Sequence, residues 1–132
     1  DRVWSVTSYG ELRREGLEHE RSRRLNPEIS DEPYVSRCFG DETPTVATSD
    51  YICSVPEMIQ RWIGGRYIVL GTDGFGRSDT REALRSFFEI DTNSIIVASI
   101  SALEQEGTLP SGTVEKELEK RNLNKERIDK AE

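Results

Sequence analysis

Residues 66–81 read RYIVLGTDGFGRSDTR and combine an apolar run, a glycine-rich loop and the start of a helix. The run that ends at Leu70 is continuous, which is typical of a strand covered on both faces, as in a parallel sheet. The glycine-rich loop follows at 71–79. Asp79 and Glu82 then have the spacing of a capping box, which predicts that a helix begins there. A buried strand, a loop and a helix in this order predict an α/β fold.

The segments around this stretch continue the alternation of strands and helices. Alternating and β-branched residues predict strands at 3–8 and 45–49. Gly16 is predicted to separate the first two helices, and Gly64-Gly65 to end the third. Helical patterns predict these helices at 9–14, 17–25, 54–63, 93–106 and 113–121.

We therefore predict a three-layer α/β fold with a mostly parallel, mixed sheet and right-handed crossovers. The predicted α/β domain spans residues 1–112, and a charged helix with a polar tail spans residues 113–132. Four aromatic residues are predicted to lie in the core, namely Trp4, Trp62, Phe87 and Phe88.

The composition excludes several classes of protein. The 132 residues correspond to one domain or a piece of one. Eighteen basic against 25 acidic residues give a net charge of −7, which excludes a generic basic nucleic-acid binder. No apolar run is long enough to span a membrane. Cys38 and Cys53 do not form a CxxC pair and no signal-peptide pattern is present, so we expect a reduced, cytoplasmic protein.

Most of the negative charge lies between residues 27 and 50, which hold six acidic residues and one arginine. The same stretch contains Pro27, Pro33 and Pro44, and prolines interrupt helices. We therefore predict a long surface connection at 27–44. Its acidity has two explanations: solvation of an exposed loop, or an acidic patch that binds a basic partner.

The loop at 71–81 is the strongest candidate for a functional segment, because the carboxyl ends of strands are where open α/β sheets bind ligands. Arg77 and Arg81 could hold an anion there. The pattern is neither a Walker loop nor a dinucleotide fingerprint, and Asp-Gly-Phe-Gly is not a kinase motif. The alternative explanation is a tight structural turn whose charges pair with each other or with a neighbouring subunit.

No complete catalytic set can be assembled from the remaining polar residues. His19 is the single histidine, and charged neighbours predict that it is exposed on a helix. Cys53 precedes a predicted helix, where amides could lower the pKa of its thiol, but burial as a small apolar residue is the favoured explanation. One histidine and two distant cysteines do not suit a zinc site. We therefore predict no catalytic and no metal-binding residue.

Several segments together resemble one known family. They are VWSVTS at 3–8, ELRR at 11–14, PYV at 33–35, ATSDY at 47–51 and RYIVLGTDGFGRSDTR at 66–81. The chain resembles the C-terminal domain of the homodimeric bacterial pyruvate dehydrogenases, and FFEID at 87–91 continues the resemblance to about residue 107.

The resemblance implies a parent enzyme with three domains of the transketolase type. Its first two domains bind thiamine diphosphate and magnesium across a dimer interface, and no cofactor-binding residue is expected in this chain. The third domain has a mostly parallel, five-stranded sheet. A strand and a helix of that domain should precede Val3, so we expect a chain truncated at its N-terminus, with at least one sheet edge lacking a neighbour.

The resemblance further implies oxidative decarboxylation of pyruvate and transfer of the acetyl group to a lipoyl group. The implied partners are the other domains of the parent chain, a homodimer partner and the lipoyl-bearing acyltransferase component, with no nucleic acid and no membrane. The alternatives are a stand-alone anion-binding or regulatory module, or the same domain of a transketolase or a branched-chain 2-oxoacid dehydrogenase. The candidate interface and entrance residues are Asp73, Gly74, Gly76, Arg77, Ser78, Asp79 and Arg81.

Overall fold

The computed structural model of the chain describes residues 2–72 and 91–121. Its elements, in chain order, are helix α1 (Tyr9–Leu25), helix α2 (Tyr34–Phe39), strand β1 (Thr45–Thr48), helix α3 (Ser54–Glu57), a 3₁₀ helix (Gln60–Trp62), strand β2 (Tyr67–Leu70), helix α4 (Thr92–Gln105) and helix α5 (Thr113–Lys120).

Strands β1 and β2 lie next to each other and run parallel, with a register from Thr45 opposite Tyr67 to Thr48 opposite Leu70. This confirms both strands, their parallel arrangement and the α/β class. Within residues 2–72 and 91–121 the sheet consists of these two strands. Truncation of the domain stays a prediction.

The N-terminal segment before α1 differs from its prediction as a strand. Residues 3–8 have no ladder partner in the described part of the chain, and Val3 is 99% exposed. A strand needs a neighbour for its backbone groups, and local alternation cannot supply one. The segment is held instead by Arg2, which donates to Asp41 at 3.1 Å, and by an edge contact of Trp4 on Phe39. Trp4 is nevertheless 46% exposed, so its prediction as a core residue is wrong.

Helix α1 is continuous through Gly16, so the predicted break there is wrong. Ser8 caps the helix, because its hydroxyl accepts from the amide of Glu11 at 3.1 Å. Gly16 does not break the helix but allows close packing against it. An added Cβ at this position would lie 2.6 Å from the Cε2 and Cζ2 atoms of Trp62, so the glycine lets the indole ring pack directly on the helix backbone.

Helix α2 lies inside the connection predicted at 27–44. Pro33 occupies its N-cap position with φ −63°, and a proline at a helix start displaces no helical hydrogen bond. Val35 is fully buried, which explains why this short helix forms against the core. The prediction of a connection without a helix is therefore wrong, because Pro33 begins an element instead of interrupting one.

The helix predicted at 54–63 is divided into α3 and the 3₁₀ helix. Ser54 and Glu57 have the spacing of a capping box, which would make Ser54 the N-cap, but Cys53 occupies the N-cap position of α3 and no side chain caps the helix. The amide of Trp62 donates to the carbonyl of Ile59 at 3.1 Å. Side chains three residues apart eclipse in a 3₁₀ turn, which places Ile59 and Trp62 on the same side.

The core of the described chain is a cluster of Val35, Ile59 and Trp62. It joins α2, the turn after α3 and the 3₁₀ helix, and it confirms the predicted burial of Trp62. The partly buried residues packed around it come from α1, α2, the turns beside them and β2. They are Tyr9, Leu12, Leu17, Phe39, Ile63 and Tyr67.

Gly64 and Gly65 lie against the backbone of residues 40–43. The Gly64 amide donates to the carbonyl of Phe39 at 3.0 Å. A Cβ added to Gly65 would lie 2.5 Å from the carbonyl oxygens of both Glu42 and Thr43. The two glycines therefore permit a close contact between the segment that precedes β1 and the turn that precedes β2.

Helices α4 and α5 confirm the two helices predicted at 93–106 and 113–121. Asp91 caps α4 by accepting from the amide of Ser94 at 2.9 Å. Helix α4 packs on both strands, and α5 packs on α4. Arg121 donates to Asn93 at 3.0 Å and so joins the end of α5 to the start of α4. The division of the chain at residue 112 stays a prediction, and the helix predicted to begin at Asp79, including Phe87 and Phe88, lies outside the described residues.

The half-buried side chain of Tyr67 predicts that the free energy of unfolding falls at alkaline pH. Its hydroxyl donates to the carbonyl of Pro56 at 2.7 Å, and burial raises the pKa of Tyr67 above its ordinary value of 10.0. Because the folded pKa is raised, this stabilisation is complete below about pH 10 and is lost as the pH rises further. Tyr67→Phe should reduce the free energy of unfolding by about 1 kcal/mol at pH 7.

We expect this difference between the wild type and Tyr67→Phe to shrink in urea unfolding measured from pH 7 to pH 11. The reason is that the hydroxyl ionises more readily in the unfolded chain than in the folded one. Tyr51→Phe is the matched control, because Tyr51 is exposed and its curve should parallel the wild type. A constant difference between wild type and Tyr67→Phe over the whole range would contradict the prediction.

Candidate functional site at the carboxyl edge of the sheet

The parallel arrangement of β1 and β2 places both of their carboxyl ends at one edge of the sheet. The segments that follow the strands, 49–53 and 71–72, therefore meet there. In open α/β sheets this edge is where ligands bind. Of the predicted 71–81 loop, the structure describes residues 71 and 72 at this edge.

Hydrogen bonds hold these two segments together. Thr72 donates twice, from its amide to the carbonyl of Tyr51 at 2.9 Å and from its hydroxyl to the carbonyl of Asp50 at 2.8 Å. The amide of Ser49 donates to the carbonyl of Leu70 at 3.0 Å, and the Ser49 hydroxyl accepts from the amide of Tyr51 at 3.0 Å. The backbone of residues 49–51 is thus fixed to the end of β2.

Gly71 brings the two segments into direct contact. A Cβ at this position would lie 2.7 Å from the carbonyl oxygen of Tyr51 and 3.0 Å from Sγ of Cys53. The first glycine of the predicted loop is therefore needed for close packing at the sheet edge. Cys53 is half-buried beside it, and Cys38 is half-buried on α2.

Apolar side chains in residues 51–58, which run from this edge through α3, face solvent. Tyr51 is 70% exposed, Ile52 is 53% exposed and Met58 is 41% exposed. Asp50 and Glu57 are exposed in the same segment, and neither carboxylate has an ion pair with another described residue. The sequence signal for this group, absent from the predictions above, is the pair of adjacent apolar residues within the polar stretch Ser49–Ser54.

The predicted interface and entrance residues cannot be placed relative to this edge. All seven lie outside the described residues. They are Asp73, Gly74, Gly76, Arg77, Ser78, Asp79 and Arg81. Their role stays a prediction.

His19 differs from its prediction as a solvated residue. Its side chain is only 13% exposed, and Nε2 lies 3.2 Å from a carboxylate oxygen of Asp31. The contact ties α1 to the connection that follows it. Neighbouring charges suggested an exposed helix face, but the connection folds back over this position. His19 therefore joins two segments of the fold and is not part of the sheet edge.

The described residues offer no evident metal centre and no membrane span. No group of three or more His, Cys, Asp or Glu side chains within 2–72 and 91–121 could hold a metal ion. None of the helices in this part of the chain has both the length and the apolar character needed to cross a membrane.

Comparison with known proteins identifies relatives over nearly the whole chain. Residues 1–91 match the family described as the transketolase-like TK C-terminal domain. The chain is 46% identical over 81% of its length to the pyruvate dehydrogenase E1 component of Mycolicibacterium smegmatis. It is 41% identical over 95% of its length to that of Pseudomonas aeruginosa, and 42% identical over 96% to that of Haemophilus influenzae.

The chain spans only 12–14% of the length of these relatives. The family match covers more than half of the chain and includes α1, α2, α3 and both parallel strands. The chain therefore belongs to the family of transketolase-like C-terminal domains, and it is similar over most of its length to the C-terminal region of pyruvate dehydrogenase E1 components.

Proposed function

We propose that the chain is the C-terminal part of a pyruvate dehydrogenase E1 component, and that it supports assembly of the enzyme and shapes the entrance to its active site. The observation that carries this proposal is the identity of 41–42% to two such components over 95–96% of the chain. The parent reaction would be oxidative decarboxylation of pyruvate with acetyl transfer to a lipoyl group. Catalytic groups would come from the rest of the enzyme.

The family implies thiamine diphosphate and magnesium, and the described residues do not fit the metal. Carboxylates are the side chains that suit magnesium. In residues 2–72 and 91–121 the acidic residues do not gather into a set that could hold it. We therefore assign no step of the reaction to these residues, and we propose that other domains of the parent chain bind the cofactor.

The sheet edge supports a role in assembly. Its backbone is fixed by the hydrogen bonds of Thr72, and it presents Tyr51 and Ile52 to solvent. The candidate residues from Asp73 to Arg81 follow it directly in sequence. We propose that this loop contacts other domains or the homodimer partner, close to where the lipoyl-bearing acyltransferase delivers its substrate.

Arg77→Ala in the full-length enzyme tests this role. Arginine at the centre of an interface commonly contributes enough to change affinity tenfold. We therefore expect dimer dissociation, measured by sedimentation, or the rate of acetyl transfer to lipoyl groups to change by about tenfold. Arg13→Ala is the control, since Arg13 is exposed on α1 and has no ion pair with a described residue. Unchanged sedimentation together with unchanged transfer would refute the role of the loop.

A further inference from the structure

We propose that His19 and Asp31 form a pH-sensitive latch between helix α1 and the α1–α2 connection, residues 26–33. The latch holds the connection against α1 in acid and loosens it as the pH rises through neutrality. Its two side chains meet at 3.2 Å, between Nε2 of His19 and Oδ1 of Asp31. Because the latch involves only α1 and the connection, it is independent of the function proposed for the parent enzyme.

Both ends of the α1–α2 connection are held by hydrogen bonds of backbone amides. At its start, the amide of Asn26 donates to the carbonyl of Ser22 at 2.9 Å, and the amide of Ile29 donates to the carbonyl of Asn26 at 3.1 Å. At its end, the amide of Tyr34 donates to the carboxylate of Glu15 at 3.0 Å. These bonds fix where the connection leaves α1 and where it enters α2.

The middle of the connection, residues 30–32, is attached by side chains. Its backbone forms no hydrogen bond with the other residues of 2–72 and 91–121. Two contacts join it to α1, that of Asp31 with His19 and that of Glu32 with Arg23, where Nη1 lies 3.8 Å from a carboxylate oxygen. His19 and Arg23 are one helical turn apart and therefore face the same way. A segment with so few attachments opens locally at a low cost in free energy.

Of these two contacts, the one at His19 contains a side chain that ordinarily changes charge near neutral pH. Histidine does so between pH 5 and 8, whereas arginine and carboxylates keep their charge over that range. A protonated imidazole donates from Nε2 to the Asp31 carboxylate in a charge-assisted hydrogen bond, which is stronger than a neutral one. A neutral imidazole can donate there only in the tautomer that carries its proton on Nε2. The contact is therefore strongest in acid.

The burial of His19 gives its contact more weight than the second one. Its side chain is 13% exposed, whereas Arg23 and Glu32 are both exposed to solvent, which screens such pairs. Asp31 is 75% exposed, so its carboxylate avoids the desolvation cost of a buried charge. When the His19 contact is lost, one screened ion pair remains to hold residues 30–32. Opening would then expose the side of α1 that the connection covers.

The other charged side chains around His19 already have partners. The carboxylates next to it on α1 form ion pairs, and so does the arginine one turn later; the pairs are Glu18–Arg14, Glu20–Arg61 and Arg23–Glu32. One turn earlier, the carboxylate of Glu15 accepts from the Tyr34 amide. On α2, the guanidinium of Arg37 lies 5.6 Å from the centre of the Tyr34 ring. Among the described residues, Asp31 is thus the charged group in direct contact with the imidazole.

Limited proteolysis of the full-length protein tests the latch. A glutamyl endopeptidase can cut the bond between Glu28 and Ile29 only when the connection comes away from α1, and mass spectrometry locates the cut. Comparison of the wild type with His19→Gln at the same pH cancels the pH dependence of the protease. We expect His19→Gln to be cut about fivefold faster than the wild type at pH 5.5, and less than about twofold faster at pH 8.

Arg23→Gln is the matched control, because it removes the second contact of the same segment without removing the histidine. It should speed the cut by the same factor at pH 5.5 and at pH 8. Asp31→Asn changes an exposed residue and leaves His19 in place, so it should reproduce the pH pattern of His19→Gln without lowering the thermal unfolding temperature. A ratio to the wild type that is the same at both pH values, or larger at pH 8, in Asp31→Asn would overturn the latch, whatever the stability of His19→Gln.

Discussion

Replacing Gly64 with alanine is expected to reduce the free energy of unfolding by about 3 kcal/mol and to lower the melting temperature by about 10 °C. The added Cβ would overlap the carbonyl oxygen of Gly40 and lie 2.5 Å from that of Asp41. Both obstacles are backbone atoms, so no side-chain rotation can relieve the overlap. Relief requires movement of residues 40–43, which lead directly into β1.

Such a movement would also disturb the parallel pair. The amide of Thr45, at the start of β1, donates to the carbonyl of Arg66 at 2.8 Å. Gly64 lies just before Arg66 and β2, so a shift there would reach this hydrogen bond. Thermal and urea unfolding of Gly64→Ala and the wild type measure the effect. The two curves should differ in midpoint more than in slope, because the change affects the native contact and not the surface exposed on unfolding.

Gly107→Ala is the matched control for Gly64→Ala. Gly107 has φ +80° and no atom within 4 Å of an added Cβ, so alanine there meets only an unfavourable backbone angle. We expect that variant to lose about 1 kcal/mol. A Gly64→Ala protein as stable as Gly107→Ala would show that the steric contact with residues 40–43 is unimportant.

Gly16→Ala is the second change for which we expect a large effect, a loss of about 2 kcal/mol. Alanine favours an α-helix over glycine by about 1 kcal/mol, so propensity predicts the opposite sign. The new Cβ would however lie 2.6 Å from two ring atoms of Trp62, whose side chain is buried with Ile59 and Val35. Because the Trp62 side chain is buried in the cluster with Ile59 and Val35, moving the ring would disturb those contacts, and we expect the overlap to outweigh the gain in propensity.

Two further variants separate these contributions. Gly10→Ala lies in the same helix, and its Cβ would be 3.9 Å from the nearest atom, the Ser8 hydroxyl oxygen. It should be neutral or slightly stabilising. Trp62→Phe removes part of the ring, and Gly16→Ala in that background should be less damaging by about 1 kcal/mol. Stabilisation by Gly16→Ala in the wild type would disprove the packing argument.

The sequence correctly predicted the elements whose apolar residues pack against another described element. β1, β2, α4 and α5 were located within two residues of their observed ends, and the continuous apolar run before Gly71 indicated a parallel pair. These patterns were sufficient because each reports burial against a neighbour that the described chain contains.

The elements that were missed depend on contacts distant in sequence. The alternation at 3–8 is typical of a strand, but no described strand lies beside it. Gly16 was interpreted as a helix break because its contact with Trp62, 46 positions later, is invisible locally. Pro33 was interpreted as a helix breaker although it begins α2, and burial of Val35 is what makes that helix form.

The candidate site was predicted only in outline. The order of strand and glycine-rich loop indicated the carboxyl edge of the sheet, and in the structure 49–53 and 71–72 meet there. Tyr51 and Ile52 are visible in the sequence as an apolar pair in a polar stretch, but their exposure depends on how residues 49–53 contact the end of β2, which the local pattern does not show. The hydrogen bonds of Thr72 and Ser49 fix the backbone of this segment to the end of β2.

The close contact of Gly64 and Gly65 with residues 40–43 also limits how related sequences can diverge. Only hydrogen atoms fit between these two pieces of backbone. A relative with a larger residue at position 64 must hold the 40–43 segment further away, and must accommodate that shift before β1 begins. Substitutions in the two segments are therefore expected to accumulate together, each acceptable only in the background of the other.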